Sequence, residues 1–270
     1  MPAERDKPST VVLDMLRSAR SRQRTARSLI AAGELFGFSE NTLRVTLSRL
    51  MARGLIESPE RGLYRLSGQT DALNDFVERW RLGEARVRAW EPGTWLFAHV
   101  QGEVAASAWT LDALGFREVR PTLFARPDNL ALSLDALREL ATGLGLEPGV
   151  LLLRGTPEGD PAPARWIKAW HPTRLDDGYI EGLQRLAHSS SRLAGLEPDA
   201  ARLECFRLGG EMIHRLAKDP LLPDQFVNAS AREALWRAML DYDLQGKEIW
   251  ASGKDGALRR MPRPQLEMTR

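Results

Sequence analysis

The sequence predicts an α+β protein with helices and a hairpin at the N-terminus, alternating strands and helices in the middle, and helices at the C-terminus. Three observations support this fold class. Apolar residues recur at helical spacing over residues 10–52, and two short strand patterns around a proline-glycine turn follow. Short strand and helix patterns then alternate between residues 91 and 155. Long amphipathic helical patterns return from about residue 166.

Length and composition indicate a globular protein of two or three domains. The chain has 270 residues, of which 43% are hydrophobic and 27% are charged. No window approaches about 18 uninterrupted apolar residues, so no membrane span is expected, and the charged N-terminus lacks the apolar core of a secretory signal. The single cysteine, Cys205, excludes an internal disulfide and fits a reducing cytoplasm, where we expect the protein to be located.

Positive charge is concentrated at the N-terminus. Residues 1–66 contain 12 Lys/Arg and 7 Asp/Glu, a balance of +5, so the remainder carries −3 of the total of +2. Part of this charge is a basic run, made of Arg17, Arg20, Arg22, Arg24 and Arg27. A basic N-terminal segment on a mildly acidic remainder indicates that a polyanion binds at the N-terminus.

Residues 38–67 predict a helix followed by a hairpin. Ser39 is a natural N-cap, and Gly54 is placed to end the helix in a left-handed conformation. Four apolar residues are expected to form its buried stripe: Leu43, Leu47, Leu50 and Met51. The strands "LIES" and "LYRLS" flank the turn "PERG", which has Arg61 at its tip. With two preceding helical patterns, this order is typical of a winged helix-turn-helix domain.

The polar face of this helix suits the major groove of DNA, where outward residues contact base edges. The side chains of Asn41 and Arg44 match adenine and guanine respectively, and Arg61 can reach the backbone or the minor groove. The predicted DNA-binding residues are Ser39, Asn41, Thr42, Arg44, Val45, Ser48, Arg49, Arg61, Arg22 and Arg24. A solvated polar face is the alternative, but the hairpin and the basic run favour DNA binding.

The rest of the chain divides into four predicted parts. After the DNA-binding domain at residues 1–67, residues 68–90 are expected to form a connector helix. Residues 91–165 have the order β-α-β-(β)-α-β, which is typical of a ferredoxin-like domain. Residues 166–253 predict a helical C-terminal domain, and residues 254–270 have no apolar period and are expected to form a loose tail.

Motifs along the chain resemble those of the PaaX family of bacterial repressors. "ENTLRVTLSRLMARGLIES" is similar to the recognition helix of that family, with matches at Leu43, Arg44, Thr46, Leu47, Ser48, Arg49, Leu50, Gly54 and Leu55. "WEPGTWLFAHV" and "LDALGFREVRPTLFARPDNL" resemble two segments of its middle domain, and "IHRLAKDPLLPDQFV" resembles its C-terminal segment. These matches occur in the same order and cover most of residues 25–245.

The resemblance implies a dimeric transcriptional regulator of aromatic-acid catabolism. It implies a winged-helix domain, a middle domain similar to the ferredoxin-like fold of Cas2, and a helical C-terminal domain. Such a protein is a repressor that binds a palindromic operator in double-stranded DNA as a homodimer. An acyl-coenzyme A effector, such as phenylacetyl-coenzyme A, would release it. No cofactor, metal or membrane partner is expected, and no effector-binding residue is identified.

Two enzymatic alternatives remain open. A Cas2-like metal-dependent nuclease would need a carboxylate at the end of the first middle strand, which ends here at His99, with Glu103 as the nearest acid. An acyl-thioester-processing enzyme could use Glu211 and His214, at i,i+3 on one C-terminal helix. Because H-E-x-x-H and Gly-x-Ser-x-Gly motifs are absent from the sequence, we expect that the protein is not an enzyme.

Overall fold

The computed structural model describes residues 7–19, 23–157 and 163–252. Within these ranges the fold combines helices with a three-stranded and a four-stranded sheet, both antiparallel, and the chain is helical from residue 163 onward apart from its connections. The predicted α+β class, with a helical C-terminal region, is therefore confirmed. None of the described helices is long and apolar enough to cross a membrane.

The N-terminal unit contains the predicted helices and hairpin. Its elements are α1 (Pro8–Ser18), β1 (Gln23–Thr25), α2 (Ala26–Glu34), α3 (Glu40–Ala52), β2 (Ile56–Glu60) and β3 (Leu63–Leu66). Strand β1 was not predicted: it lies inside the basic run and pairs with β3, with Gln23 opposite Arg65. Thr25 is the N-cap of α2, since its hydroxyl accepts from the Ser28 amide. An N-cap residue has non-helical backbone angles, so the chain is extended at this point.

Helices α1, α2 and α3 pack around one apolar core. Its most buried members are Val11, Val12, Met15, Leu16, Leu29, Leu43, Leu47, Leu50 and Ile56. Gly33 permits the close approach of α2 to α3, since an added Cβ would lie 2.6 Å from both methyl carbons of Leu43. The prediction that Met51 belongs to the buried stripe is wrong, because it is 41% exposed. At 100° per residue, Met51 falls at the edge of the face that carries Leu47 and Leu50.

The middle of the chain has the element order β-α-β-β-α-β. Its elements are β4 (Trp95–His99), α5 (Val104–Ala113), β5 (Arg117–Arg120), β6 (Leu123–Pro127), α6 (Leu134–Gly143) and β7 (Leu151–Gly155). The strands form one sheet in the order β5-β6-β4-β7. Leu96, Leu111 and Leu137 are among the residues that fill the core between the sheet and its two helices. Ser133 caps α6, since its hydroxyl accepts from the Ala136 amide.

The C-terminal region consists of helices that pack around a second large core. Its elements are the short α7 (Pro163–Trp166), a 3₁₀ turn (Ile167–Trp170), α8 (Pro172–Leu193), α9 (Pro198–Ala217) and α10 (Ala229–Ala251). Tyr179, Met212 and Leu235 are buried between the three long helices. The same core reaches the four-stranded sheet, where the rings of Trp95 and Trp166 meet edge to face at 5.3 Å. The predicted loose tail at residues 254–270 lies outside the described residues.

The connector between the N-terminal unit and the four-stranded sheet is not one helix. It comprises α4 (Asp71–Glu78) and a 3₁₀ run (Arg79–Arg86) with a kink at Gly83, where φ is 50° and ψ is −129°. The connector helix predicted within residues 68–90 is present as α4, but it does not continue beyond Glu78 as an α-helix. Trp236 of α10 supplies the physical reason, because a Cβ at Gly83 would lie 2.3 Å from its ring. The tight packing of α10 requires glycine here, in a conformation that interrupts the helix.

The loop "DPLLP", which joins α9 to α10, is buried although it has no regular structure. Side chains from other segments donate hydrogen bonds to its carbonyl groups. Arg126 of β6 donates to Pro220 O at 3.1 Å, and Asn129 donates to Leu221 O at 2.6 Å. Arg232 of α10 donates to Leu222 O at 2.7 Å. Buried backbone groups require such partners, so this loop fastens the helical region to the sheet.

Candidate nucleic-acid interface

Helix α3 presents a largely polar face to solvent. The predicted residues Ser39, Asn41, Thr42, Arg44, Val45, Ser48 and Arg49 are all exposed. The opposite face holds Leu43, Leu47 and Leu50, which are at most 3% exposed. This division follows from the sequence, because apolar residues spaced by three and four positions turn one side of the helix toward α1 and α2.

The start of α3 is fixed by its own hydroxyl groups. Ser39 Oγ accepts from the Thr42 amide at 3.2 Å and lies 2.9 Å from the Thr42 hydroxyl. Thr46 donates to the carbonyl of Thr42 at 2.8 Å. Ser39 and Thr42 therefore stabilise the first turn of the helix, while Asn41 and Arg44 project from the same turn into solvent.

Arg44 is held by an acidic neighbour one turn earlier. Its Nε and Nη2 atoms donate to Oε1 of Glu40 at 2.8 and 2.6 Å. Both side chains are more than half exposed, at 62% and 55%, so the pair contributes little to stability. Sequence reasoning assigned Glu40 no part in the site. The i,i+4 spacing of a glutamate and an arginine was the signal that could have identified this contact.

The β2–β3 hairpin places Arg61 at its tip, as predicted. Arg61 is exposed, and the next residue, Gly62, has a φ of 78°, which favours glycine at this point of the turn. The Gly62 carbonyl accepts from the Ala26 amide at 2.8 Å, so the tip is tied to the start of α2. At the base of the hairpin, Arg65 pairs across the strands with Glu57 at 2.5 Å.

The basic run does not form one uniform surface strip. Arg24 is half-buried and its Nε donates to the carbonyl of Met15 at 2.9 Å, near the end of α1. Burial lowers the pKa of Arg24. Arg17 donates to Asn74 of α4 at 3.0 Å, whereas Arg27 is exposed. Arg22 lies outside the described residues. A DNA contact by Arg22 or Arg24 stays a prediction.

Glu211 and Cys205, two side chains of types that can take part in catalysis, are paired and buried respectively. Among the residues that the structure describes, no group of three or more His, Cys, Asp or Glu side chains could hold a metal ion. Both carboxylate oxygens of Glu211 accept from Arg185 of α8, at 2.5 and 2.7 Å. Cys205 is buried, and burial raises the pKa of its thiol. These surroundings do not favour either enzymatic alternative.

The turn between α2 and α3 rests on the C-terminal helices. The ring of Phe36 meets that of Phe206 on α9 edge to face, with centroids 5.0 Å apart. The Arg207 guanidinium lies 5.7 Å from the Phe36 centroid, and Phe206 in turn contacts Trp250 of α10. Arg207 also lines an open cavity of about 220 Å³ between α8 and α9. Sequence reasoning missed this contact because residues 170 positions apart share no local pattern.

Comparison with known proteins assigns a family to the N-terminal unit. The sequence profile described as PaaX-like protein matches residues 9–70. Among solved structures, the uncharacterized protein Rv0674 from Mycobacterium tuberculosis is similar, with 26% identity over 90% of this chain and 97% of that chain and a TM-score of 0.56. No curated protein matches. The profile match confirms the predicted resemblance over residues 9–70, which include most of α1, all of α2 and α3, and both strands of the hairpin.

Proposed function

We propose that the protein is a DNA-binding transcriptional repressor. The observation that carries this proposal is the exposed polar face of α3, which lies within the PaaX-like segment and includes Asn41, Arg44, Ser48 and Arg49. These side chains supply the amide, guanidinium and hydroxyl groups that read base edges or hold phosphates. The apolar face of the helix is committed to the core, so the polar face is available to a partner.

The N-terminal unit is proposed to act as a winged helix-turn-helix domain. Helix α3 would enter the major groove, and the hairpin tip at Arg61 would contact the backbone beside it. The proposal is supported by the tie between Gly62 and Ala26, which holds the tip at the start of α2. Sequence specificity would come from α3, whereas the hairpin would add affinity that is independent of sequence.

The rest of the chain is proposed to control the binding of the N-terminal unit to DNA. Residues 91–165 would form a ferredoxin-like domain and residues 166–253 a helical domain, and the strand order β5-β6-β4-β7 supports the first assignment. These domains would pair two chains on a palindromic operator and would hold an acyl-coenzyme A effector such as phenylacetyl-coenzyme A. Through the contact between Phe36 and Phe206, a ligand bound in the helical domain would act directly on the turn before α3.

In vitro selection from a random duplex library tests the proposal. The full chain is expected to enrich a two-fold symmetric site, and a footprint on the DNA beside its own gene should locate a natural copy. The footprint is then repeated with aryl-coenzyme A thioesters, which are expected to weaken it. Selection that yields no enriched sequence, together with protection that is uniform along the DNA, would contradict a sequence-reading role.

A further inference from the structure

Glu40 occupies the position on α3 from which a side chain first meets a duplex. It is the first residue of the helix, follows the Ser39 cap, and is exposed beside Asn41. Residues at this end of a recognition helix make base contacts. A carboxylate is unfavourable near phosphates, because like charges repel. Here the start of the helix and the guanidinium of Arg44 offset its charge.

The contact with Arg44 leaves both partners with free recognition groups. Nε and Nη2 of Arg44 share the single oxygen Oε1 of Glu40. This geometry does not use Nη1 of Arg44 or Oε2 of Glu40, and both groups belong to exposed side chains. An arginine on a helix surface otherwise samples many rotamers. The carboxylate therefore restricts the direction in which the guanidinium points before DNA arrives.

We propose that Glu40 is a specificity-determining residue that reads DNA together with Arg44. Its carboxylate holds the Arg44 guanidinium toward a guanine and itself accepts from the N4 amino group of a cytosine in the adjacent base pair. A thymine or guanine at that position places O4 or O6 opposite the carboxylate, and two facing acceptors repel. Glu40 thus rejects thymine and guanine at that position. The inference rests on the proposed function, since it concerns the same face of α3.

Selection with matched variants tests this inference. The wild-type chain, Glu40→Gln, Glu40→Asp and Glu233→Gln are each used to select sites from the same random library. Glu40→Asp keeps the negative charge at the helix start but shortens the reach, so it separates base reading from a general effect on the helix. Glu233→Gln removes the carboxylate of a comparable i,i+4 pair with Arg237 on α10, outside the proposed DNA-reading surface, and serves as the control.

The wild type and the control are expected to prefer cytosine at one position of each half-site. In Glu40→Gln and Glu40→Asp this preference should fall by roughly 10-fold, the range of one good base contact, while circular dichroism confirms that each variant is folded. A uniform gain in affinity with unchanged base preference would show that Glu40 is only a repulsive charge, and no change would equally overturn the inference. Failure of the wild type to enrich any site would instead overturn the proposed function, and the inference with it.

Discussion

The aromatic rings of Phe36 and Phe206 lie edge to face, with centroids 5.0 Å apart and ring planes at 72°. Phe36 belongs to the turn that precedes α3, and Phe206 belongs to α9. The contact therefore joins the N-terminal unit to the C-terminal helices at the point where the direction of α3 is set. A second connection is the hydrogen bond that Arg17 of α1 donates to Asn74 of α4. The N-terminal unit thus contacts the rest of the chain through side chains of both α1 and the turn before α3.

Replacement of Phe206 by alanine is expected to weaken the packing of the turn before α3 against α9. Phe206 is only partly buried, so we expect a loss of about 1–2 kcal/mol in the free energy of unfolding, below the cost for a fully buried phenylalanine. Hydrogen exchange should become faster in α2 and α3. Phe206→Leu, which keeps apolar volume, is expected to be milder. Unchanged exchange in both helices would show that the contact does not restrain the turn.

Arg44→Ala is expected to weaken binding to the selected site by about 1–3 kcal/mol while leaving the fold intact, because one guanidinium that reads a base is removed. Fluorescence anisotropy with the selected site and a scrambled duplex measures the loss. Arg237→Ala is the matched control: this arginine also pairs with a glutamate four residues away, Glu233, on the exposed face of α10. Equal affinity of Arg44→Ala and the wild type would remove Arg44 from the reading surface.

Arg61→Ala is expected to weaken binding to all duplexes by a similar factor. A residue at a hairpin tip that contacts phosphate contributes affinity without sequence preference, and its removal should lower the slope of log K against log salt by about 1. The measurement is a salt titration with the selected site and a scrambled duplex. A change in base preference, with the salt slope unaltered, would instead indicate that Arg61 reads bases.

Arg126→Met is expected to destabilise the protein by about 3 kcal/mol or more, because it leaves buried acceptors without a charged donor. Arg126 is 2% exposed and donates to the carbonyls of Leu114, Pro127 and Pro220. Urea unfolding measures the change. Arg154→Met should cost much less, since Arg154 is about half exposed and its partner Asp128 keeps a second arginine, Arg88. Similar losses for both variants would contradict a special role for Arg126.

The Cys205 thiol is expected to react slowly with disulfide reagents in the native protein at pH 7–8 and quickly in denaturant. Burial raises its pKa above the model-peptide value of 9.0, so the reactive thiolate is rarer in the folded than in the unfolded chain. The unfolded thiol ionises first as the pH rises through 9. The buried neutral thiol therefore makes its full contribution to the free energy of unfolding below pH 9, and this contribution is lost as the pH rises from 9 through the folded-state pKa. Native and denatured reaction at equal rates would place the thiol at the surface.

Local rules in the sequence predicted most of the helix and strand boundaries. Ser39, Ser133 and Gly54 act at short range: each cap or stop depends only on backbone groups within a few residues. Strand β1 escaped prediction because it spans only Gln23–Thr25 and exists through its pairing with β3. Gly83 was overlooked for a similar reason, since the ring that demands a glycine belongs to Trp236, far along the chain.

The exposure of the proposed DNA-binding residues on α3 was predicted to a comparable extent. Periodicity placed Asn41, Arg44 and Arg49 on the exposed face, because burial of Leu43 and Leu47 determines where the rest of α3 points. Interactions that depend on tertiary structure could not be foreseen. The half-buried state of Arg24, for example, follows from its contact with the carbonyl of Met15, which requires β1 and α1 to be assembled.

The buried "DPLLP" loop affects the order in which parts of the chain can fold during synthesis. Its carbonyls are satisfied by Arg126 and Asn129, which are made early, and by Arg232, which is made after the loop itself. A nascent chain that ends between Pro223 and Arg232 therefore carries the loop without the donor for Leu222. Until α10 leaves the ribosome, the interior around this loop remains incomplete, so we expect the loop to become fully buried only after α10 has been made.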